Sequence, residues 1–200
     1  MNLWAIIPVK PFGLGKSRLA SVLRDPQRAD FNSRMFRHVL DAARDTLGSD
    51  RIAVVSTDPD ALTLASPAHA VRESEPGDLN RALALAAEYA AQHGAEAILV
   101  LPADLPDLTR EDIEALRRAL DGGRCCAIAP DAAESGTNAL AMTPPDESLF
   151  RFGADSFAAH VQAAQARGCR VTIVRRPGLA HDLDTPESYH AWLNRVGASA

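Results

Sequence analysis

The loop with the clearest chemical potential combines glycines with cations. Residues 10–19 read KPFGLGKSRL and directly follow an apolar run at residues 3–9. Glycines let backbone amides approach a ligand closely, and lysine and arginine neutralise phosphate charge. These residue types in this order predict a phosphate-binding loop. Its nucleotide-binding candidates are Lys10, Gly13, Gly15, Lys16, Ser17 and Arg18.

This loop matches the Walker A pattern, G-x-x-x-x-G-K-[ST], only at its end. Residues 15–17 fit, but the first glycine of the pattern falls at Lys10, and Pro11 would stiffen a loop that must wrap phosphates. A P-loop kinase or ATPase stays an alternative, because residues 97–101 followed by Asp104 resemble a Walker B strand. An ordinary surface turn with solvated cations is the other open alternative.

Three aspartates are candidates for a magnesium site. Asp104 follows the apolar run at residues 97–101 and lies between two prolines, so it is held at the carboxyl end of a predicted strand. Asp182 and Asp184 alternate in an extended segment, which sends both carboxylates to one side. Magnesium prefers a few hard oxygen ligands together with substrate phosphates. Each aspartate alone could equally be a cap or turn residue, and only their combination with the loop favours the metal.

Two small polar turns are candidates for a second anion site. Residues 135–138, SGTN, precede a predicted strand, and residues 150–157 lead into a helical pattern. A helix N-terminus with free backbone amides suits a phosphate or a carboxylate. From the residues alone, ordinary capping by Asp155 or Ser156 is an equal alternative.

The elements that must position these residues alternate between strand and helix. Short apolar runs predict strands at residues 3–9, 51–56, 97–101, 125–129, 138–142 and 170–174. Helical spacing of apolar residues predicts helices across residues 31–47, 79–90, 109–120, 157–164 and 185–193. This alternation predicts an α/β fold with a largely parallel sheet, helices on both faces, and ligands at the carboxyl ends of the strands.

Composition indicates one domain that acts on a small molecule. The 200 residues, 46% of them hydrophobic, can enclose one core, which we place at residues 1–196 with a frayed tail at 197–200. A net charge of -5 without a basic block argues against nucleic acid and membrane as partners. Three cysteines without disulfide or metal-ligand spacing fit the cytoplasm. A homodimer is the base-rate expectation.

Five segments together resemble the guanylyltransferases of coenzyme F420 biosynthesis. They are Pro8-Val9-Lys10 with residues 15–19, then residues 101–106, residues 136–140, Phe152-Gly153 with Ser156-Phe157, and residues 182–185. The resemblance extends from Pro8 to Trp192. It implies a three-layer, Rossmann-like, nucleotide-diphospho-sugar transferase-like fold with a mixed, mostly parallel sheet. It also implies transfer of GMP from GTP to 2-phospho-L-lactate, phosphoenolpyruvate or 3-phospho-D-glycerate, with release of pyrophosphate.

The resemblance further implies roles for individual residues. Mg²⁺ would be held by Asp104, Asp182 and Asp184, and the loop from Lys10 to Arg18 would bind the triphosphate, with Asp104, Lys16 and Arg18 as catalytic residues. The acceptor's phosphate and carboxylate would be bound by Thr137, Gly153 and Ser156.

One segment near the nucleotide departs from the family's pattern. Residues 76–83 are similar to the family's Gly-Leu-Asn stretch, but Asp78 stands where the family pattern has glycine. Asn80 is the candidate for a ribose or guanine contact, because an amide both donates and accepts hydrogen bonds.

Three alternatives to this function stay open. A related transferase of the same fold would use molybdopterin or a sugar phosphate as acceptor. The P-loop-like NTPase is the second, and a non-catalytic guanine-nucleotide sensor is the third. The three carboxylates argue against the sensor, because nucleotide binding alone needs fewer of them. The choice among the three acids depends on pocket shape, since they differ only by a hydroxyl, a methyl or a double bond.

Overall fold

The fold is one sheet covered by helices, described by a computed structural model for residues 1–74 and 77–197. The strands are β1 (Leu3–Pro8), β2 (Ile52–Ser56), β3 (His69–Arg72), β4 (Ala97–Val100), β5 (Cys125–Pro130), β6 (Thr137–Thr143) and β7 (Arg170–Ile173). The helices are α1 (Asp25–Leu47), α2 (Pro59–Leu64), α3 (Leu79–Gln92), α4 (Arg110–Arg118), α5 (Ser156–Ala166) and α6 (Pro186–Gly197). Short 3₁₀ helices occupy Ser17–Ser21, Ser49–Arg51, Glu147–Leu149 and Pro177–Leu179.

The sheet is mixed and mostly parallel, with the strand order β3-β2-β1-β4-β6-β5-β7 among the described residues. Strand β1 pairs in parallel with β2 and β4, and β5 pairs in parallel with β7. Strand β6 runs antiparallel to both of its neighbours, β4 and β5. The first residues of β6 therefore lie at the end of the sheet where β4 and β5 finish.

Alternate residues of β1 pack into different halves of the core. Leu3 and Ile7 belong to the cluster that includes the buried faces of α1 and α4. Trp4 and Ile6 belong to the cluster that includes α3. Successive side chains of a strand point to opposite faces, so helices must cover both faces of this sheet. The predicted three-layer α/β fold is confirmed.

Local signals in the sequence explain most of the elements. The predicted capping box at the start of α4 is present, because Thr109 Oγ1 accepts a hydrogen bond from Asp112 N and the Asp112 carboxylate accepts one from Thr109 N. Helix α6 begins at Pro186, as predicted. It includes Gly197, the first residue of the predicted tail, whereas residues 198–200 lie outside the described part of the chain.

Two short elements escaped the sequence analysis. In β3, the strand at the edge of the sheet, only Val71 is buried, so the strand leaves no apolar run. Helix α2 has six residues, which is too short for a helical period to show. No helix within the described ranges is both long and apolar enough to cross a membrane.

Candidate active site

A cavity of about 590 Å³ lies where β1, β2, β3 and β4 end. Most of the predicted loop residues and two of the predicted metal ligands line it, namely Lys10, Gly15, Lys16, Ser17, Arg18, Asp104 and Asp184. Carboxyl ends of parallel strands are the usual place for ligands in open α/β sheets. The structure thus brings the nucleotide loop and the carboxylates into one cavity, although they are far apart in the chain.

The shape of the loop is held by two buried polar residues of α1. Arg28 donates from Nε to the carbonyl oxygen of Gly15 at 3.1 Å and from Nη2 to that of Gly13 at 3.2 Å. Asn32 donates from Nδ2 to the carbonyl oxygen of Phe12 at 2.7 Å. A Cβ on Gly15 would lie 2.8 Å from Asn32 Nδ2, so a side chain here would displace the Asn32 amide that binds Phe12.

The sequence analysis missed both of these α1 residues. Their signal is present in the sequence, because Arg28 and Asn32 are one helical turn apart and share the buried face of α1 with Phe31 and Met35. A polar pair on the buried face of a helix needs partners, and the carbonyl groups of the loop supply them.

The chain after the loop does not follow the P-loop geometry. In a P-loop, the glycine loop leads straight into an α-helix whose N-terminus faces the phosphates. Here the loop leads into the 3₁₀ helix Ser17–Ser21, and α1 begins only at Asp25. This geometry argues against the P-loop alternative.

Lys16 bridges two of the three predicted metal ligands. Its backbone adopts the left-handed conformation, with φ 55° and ψ 44°, and its side chain is only 7% exposed. Lys16 Nζ lies 3.0 Å from Asp104 Oδ2 and 3.0 Å from Asp184 Oδ1. The lysine predicted to bind phosphate is therefore placed against the carboxylates, and its contact with a triphosphate stays a prediction.

The three predicted ligands converge on one small volume. One carboxylate oxygen from each of Asp104, Asp182 and Asp184 lies within 4.8 Å of the other two, and all three residues are half-buried. Three carboxylates this close favour a divalent cation, because hard oxygen ligands and dense negative charge are what Mg²⁺ binds best.

The pKa values of this cluster reflect its burial and crowding. Burial, together with the charges of Asp104 and Asp184, raises the pKa of Asp182 to about 6. Burial also raises the pKa of Asp104, against the attraction of Lys16. At Asp184 the effect of burial is outweighed by the charge and hydrogen bond of Lys16, so its pKa is lowered. Burial acts to lower the pKa of Lys16, but the two carboxylates outweigh it and raise that pKa.

The segment that carries Asp182 is anchored to β6 and to the turn that precedes it. Asn138, a buried residue of β6, donates from Nδ2 to the carbonyl oxygen of Leu179 at 2.9 Å. The backbone nitrogen of Ala132 donates to the carbonyl oxygen of Ala180 at 2.8 Å. Both contacts lie within three residues of Asp182. They therefore hold the segment that carries this predicted metal ligand against the end of β5 and the start of β6.

The same segment packs tightly against α4. Arg176 donates from Nε to Asp112 Oδ1 at 2.8 Å, and Asp112 is almost fully buried. A Cβ on Gly178 would collide with the carboxylate of Asp112 and with the backbone carbonyl of Asp107. Glycine is therefore required at this position, which the sequence analysis did not single out.

Two of the predicted acceptor residues, Thr137 and Ser156, contact each other in a separate buried cluster beside the cavity. Thr137 N donates to Ser156 Oγ at 3.0 Å, and both residues are under 10% exposed. Gly153 is exposed, with φ 148°, and a Cβ there would meet nothing within 4 Å. The structure does not show the ordinary capping that was the alternative here. Within the described chain, the Asp155 side chain makes no capping bond to α5, and Ser156 Oγ accepts from Thr137 N instead.

A buried histidine completes this cluster and was missed by the sequence analysis. His160 lies one helical turn after Ser156, with Nδ1 2.9 Å from Thr137 Oγ1. Its Nε2 accepts a hydrogen bond from Arg151 N at 3.1 Å. Burial lowers the pKa of His160 to about 4, so the ring is neutral at neutral pH. Its spacing of four residues from Ser156 was the available signal.

Asn80 supports the wall between the cavity and this cluster. Its Nδ2 donates to the carbonyl oxygen of Phe152 at 3.0 Å, and its Oδ1 accepts from Phe152 N at 2.8 Å. Both ends of the amide thus bind the backbone, and a direct contact with the nucleotide stays a prediction. Asp78, the departure from the family's pattern, caps α3 by accepting from Asn80 N at 2.8 Å.

Glu73 adds a carboxylate at the far end of the cavity. It directly follows β3, is half-buried and lines the cavity. Burial raises its pKa, against the opposing charge of Arg81. The sequence analysis missed this residue because it missed the strand that places it.

Comparison with known proteins finds a family that matches almost the whole chain. A family model described as "Guanylyl transferase CofC like" matches residues 3–192. The phosphoenolpyruvate guanylyltransferase of Rubrobacter xylanophilus is 44% identical, covering 100% of this chain and 95% of the relative. The 3-phospho-D-glycerate guanylyltransferase of Phenylobacterium zucineum is 37% identical, covering 92% of this chain and 86% of the relative.

Solved structures share the fold at low sequence identity. A Desulfovibrio desulfuricans protein described as a candidate nucleotide-diphospho-sugar transferase has a TM-score of 0.75 and 18% identity, covering 97% of this chain and 87% of the other. A nucleotidyl transferase from Methanothermobacter has a TM-score of 0.67 and 16% identity, covering 99% of each chain. The family predicted from the sequence motifs is confirmed: this chain belongs to the CofC-like guanylyl transferases.

Proposed function

We propose that this chain transfers GMP from GTP to a small phosphorylated carboxylic acid and releases pyrophosphate, as a step of coenzyme F420 biosynthesis. The observation that carries the proposal is the convergence of Asp104, Asp182 and Asp184 beside the cationic loop. The names of the relatives, phosphoenolpyruvate guanylyltransferase and 3-phospho-D-glycerate guanylyltransferase, support a phosphorylated acid as acceptor.

The cavity suits a nucleoside triphosphate that lies across the carboxyl ends of four neighbouring strands. Adjacent strands lie about 4.8 Å apart, so the three steps from β4 through β1 and β2 to β3 span about 14 Å. The triphosphate would occupy the loop after β1, near Lys16 and Arg18. The base would then lie toward Glu73, whose carboxylate can accept hydrogen bonds from the ring N–H and the exocyclic amine of guanine. Adenine has no ring N–H at that position, so Glu73 would favour GTP over ATP.

The carboxylate cluster fits a bound magnesium ion. The donor set consists of three carboxylates and no softer ligand, which matches the preference of Mg²⁺. The ion would be held by Asp104, Asp182 and Asp184, and when bound it would neutralise charge on the phosphates of GTP. Lys16 supplies a second positive charge at the same place.

The reaction needs positioning more than a protein nucleophile. An oxygen of the acceptor's phosphate attacks the α-phosphorus of GTP, and the bond from that phosphorus to the oxygen bridging the β-phosphorus breaks. The electron pair leaves with pyrophosphate, and the product is a phosphoanhydride. Thr137 and Ser156 would hold the acceptor, while Lys16 and Arg18 would offset the repulsion between the two anions.

A product assay tests the proposal directly. The protein is incubated with Mg²⁺, GTP, ATP or CTP, and each of phosphoenolpyruvate, 2-phospho-L-lactate and 3-phospho-D-glycerate, and pyrophosphate and product mass are measured. We expect product with GTP and at least one acid. Asp104→Asn should stay folded and lose more than about tenfold in turnover, because an amide replaces a hard anionic ligand.

The alternatives give different results in the same assay. Product only with a sugar phosphate or molybdopterin would replace the acceptor class, and phosphate release without an acceptor would indicate an NTPase. GTP binding without any product would favour the non-catalytic sensor. Asp104→Asn with parent turnover at saturating Mg²⁺ would remove this residue from the metal site.

A further inference from the structure

His160 is enclosed by groups that fix how its ring is protonated. The residue is 1% exposed, and the ring of Phe152 packs edge-on against it, with 4.6 Å between the ring centroids. Its Nε2 lies 3.1 Å from Arg151 N, and its Nδ1 lies 2.9 Å from Thr137 Oγ1.

The backbone contact determines which ring nitrogen carries the proton. A backbone N–H only donates, so Nε2 must accept the bond from Arg151 N and cannot carry a hydrogen itself. A neutral imidazole has one N–H, which must then be at Nδ1. The depressed pKa of His160, caused mainly by burial, agrees with a neutral ring. Nδ1 therefore donates toward Thr137 Oγ1, and the backbone of Ser156 is a further hydrogen-bond partner of the ring.

This donation decides what the threonine hydroxyl can do. A hydroxyl has one proton to donate and lone pairs to accept with. Because Thr137 Oγ1 already accepts from His160, its own proton points away from the ring. Ser156 Oγ likewise accepts from Thr137 N, which leaves the serine proton available. Both hydroxyls thus keep a proton that neither of these contacts uses, and an anionic oxygen needs such donors.

We propose that His160 is a positioning residue that holds the Thr137 hydroxyl as a hydrogen-bond donor toward an anionic oxygen of the acceptor. The inference rests on the acceptor site proposed above. It goes beyond that proposal because it assigns acceptor affinity to a residue that does not touch the acceptor. It also explains why a histidine occupies a buried position of α5 that an apolar side chain could fill.

Two amide substitutions separate the two ring nitrogens. His160→Asn places an amide N–H near the position of Nδ1 and keeps a donor for Thr137. His160→Gln reaches the position of Nε2, keeps an acceptor for Arg151 N, and loses the donor for Thr137. The two variants have the same functional group and similar polarity, so each is the matched control of the other.

The kinetic test uses KM for phosphoenolpyruvate at saturating GTP, together with KM for GTP. We expect His160→Gln to raise the KM for the acid about tenfold and His160→Asn to stay within about threefold of the parent. The KM for GTP should change in neither variant. Equal losses in the two variants, or equal effects on GTP and the acid, would show a packing role and overturn the inference.

A double-mutant cycle with Thr137→Val keeps this inference distinct from the proposed function. Thr137→Val alone should raise the KM for the acid about tenfold or more, and adding His160→Gln should then change it less than about twofold. If Thr137→Val has its effect and His160→Gln has none, the inference fails and the acceptor site stands. If Thr137→Val has no effect, the acceptor site fails and takes the inference with it.

The tautomer of His160 can also be read directly in the parent protein. Nitrogen chemical shifts of labelled histidine distinguish the two neutral tautomers, and the chain has 6 histidines, with His160→Asn identifying the signal. We expect the Nδ1–H form for His160 at neutral pH. An Nε2–H form or a protonated ring would overturn the proposal.

Discussion

Lys16→Met tests the bridge between the loop and the carboxylate cluster. Methionine keeps an unbranched chain of similar length but removes the ammonium group, so packing is largely preserved. The ammonium lies 3.0 Å from carboxylate oxygens of Asp104 and Asp184, and the lysine side chain is 7% exposed. Its removal leaves two carboxylates without their nearest positive charge.

The expected loss follows from how much water reaches those carboxylates. Removing one partner of a fully buried ion pair costs about 3–5 kcal/mol. Here the side chain of Asp104 is 23% exposed and that of Asp184 is 48% exposed, so water recovers part of the loss. We therefore expect a loss of about 2 kcal/mol in the free energy of unfolding, below the fully buried case. For a chain of this size, that loss lowers Tm by roughly 4–8 °C.

Thermal unfolding in EDTA and in Mg²⁺ is the assay, and Lys10→Met is the control. Lys10 is exposed on the same loop and loses the same charge, so its Tm should change by about 1 °C at most. Mg²⁺ should stabilise Lys16→Met more than the parent, because the cation no longer competes with the ammonium for the carboxylates. A Tm within about 1 °C of the parent in EDTA would refute the stabilising role of this bridge.

Three further predictions concern other parts of the site. Gly178→Ala should lower the free energy of unfolding by roughly 1–3 kcal/mol in urea denaturation, because a Cβ would collide with Asp112 and a backbone carbonyl. The control for this variant is Gly13→Ala, which has open space for a Cβ and should cost less than about 1 kcal/mol. Glu73→Gln should raise the KM for GTP about tenfold and leave ATP use unchanged, and an equal effect on both nucleotides would remove Glu73 from base selection. The folded state holds the pKa of His160 near 4 against an ordinary value of 6.5, so the unfolded chain binds more protons between these values. Lowering the pH from 7 to 4 should therefore destabilise the parent by roughly 3 kcal/mol more than His160→Asn, and identical pH profiles would contradict the neutral buried ring.

The sequence predicted the fold through local periodicity. Six apolar runs gave β1, β2, β4, β5, β6 and β7 to within a residue or two. The first five are buried and apolar on both faces, whereas β7, at an edge of the sheet, is only partly buried. The capping box at Thr109 and the Thr185-Pro186 start placed two helices correctly. Edge strand β3 and short helix α2 were missed because their few buried residues carry no period.

The candidate site was predicted in its residue types but not in its contacts. The combination of the cationic loop with the three aspartates was enough to favour a metal site, and the family resemblance assigned Asp104, Asp182 and Asp184 to it. The sequence could not indicate that Lys16 lies between Asp104 and Asp184. That contact depends on the left-handed backbone of Lys16 and on a segment 168 residues further along the chain. Asn80 shows the same gap, since its amide binds the backbone of Phe152, 72 residues away.

By itself, the sequence determined the alternation of strands and helices, the loop and carboxylate chemistry, and the family. These depend on side-chain period and on residue type, which are local properties of the chain. Only the tertiary structure decided which groups meet at the edge of the sheet. The antiparallel direction of β6 brings Thr137 to the end where the parallel strands finish, and the fold of α5 places His160 behind it. Such contacts join residues that are distant in the chain. Burial then shifts the pKa values of these residues, and the contacts determine the direction in which each hydroxyl donates.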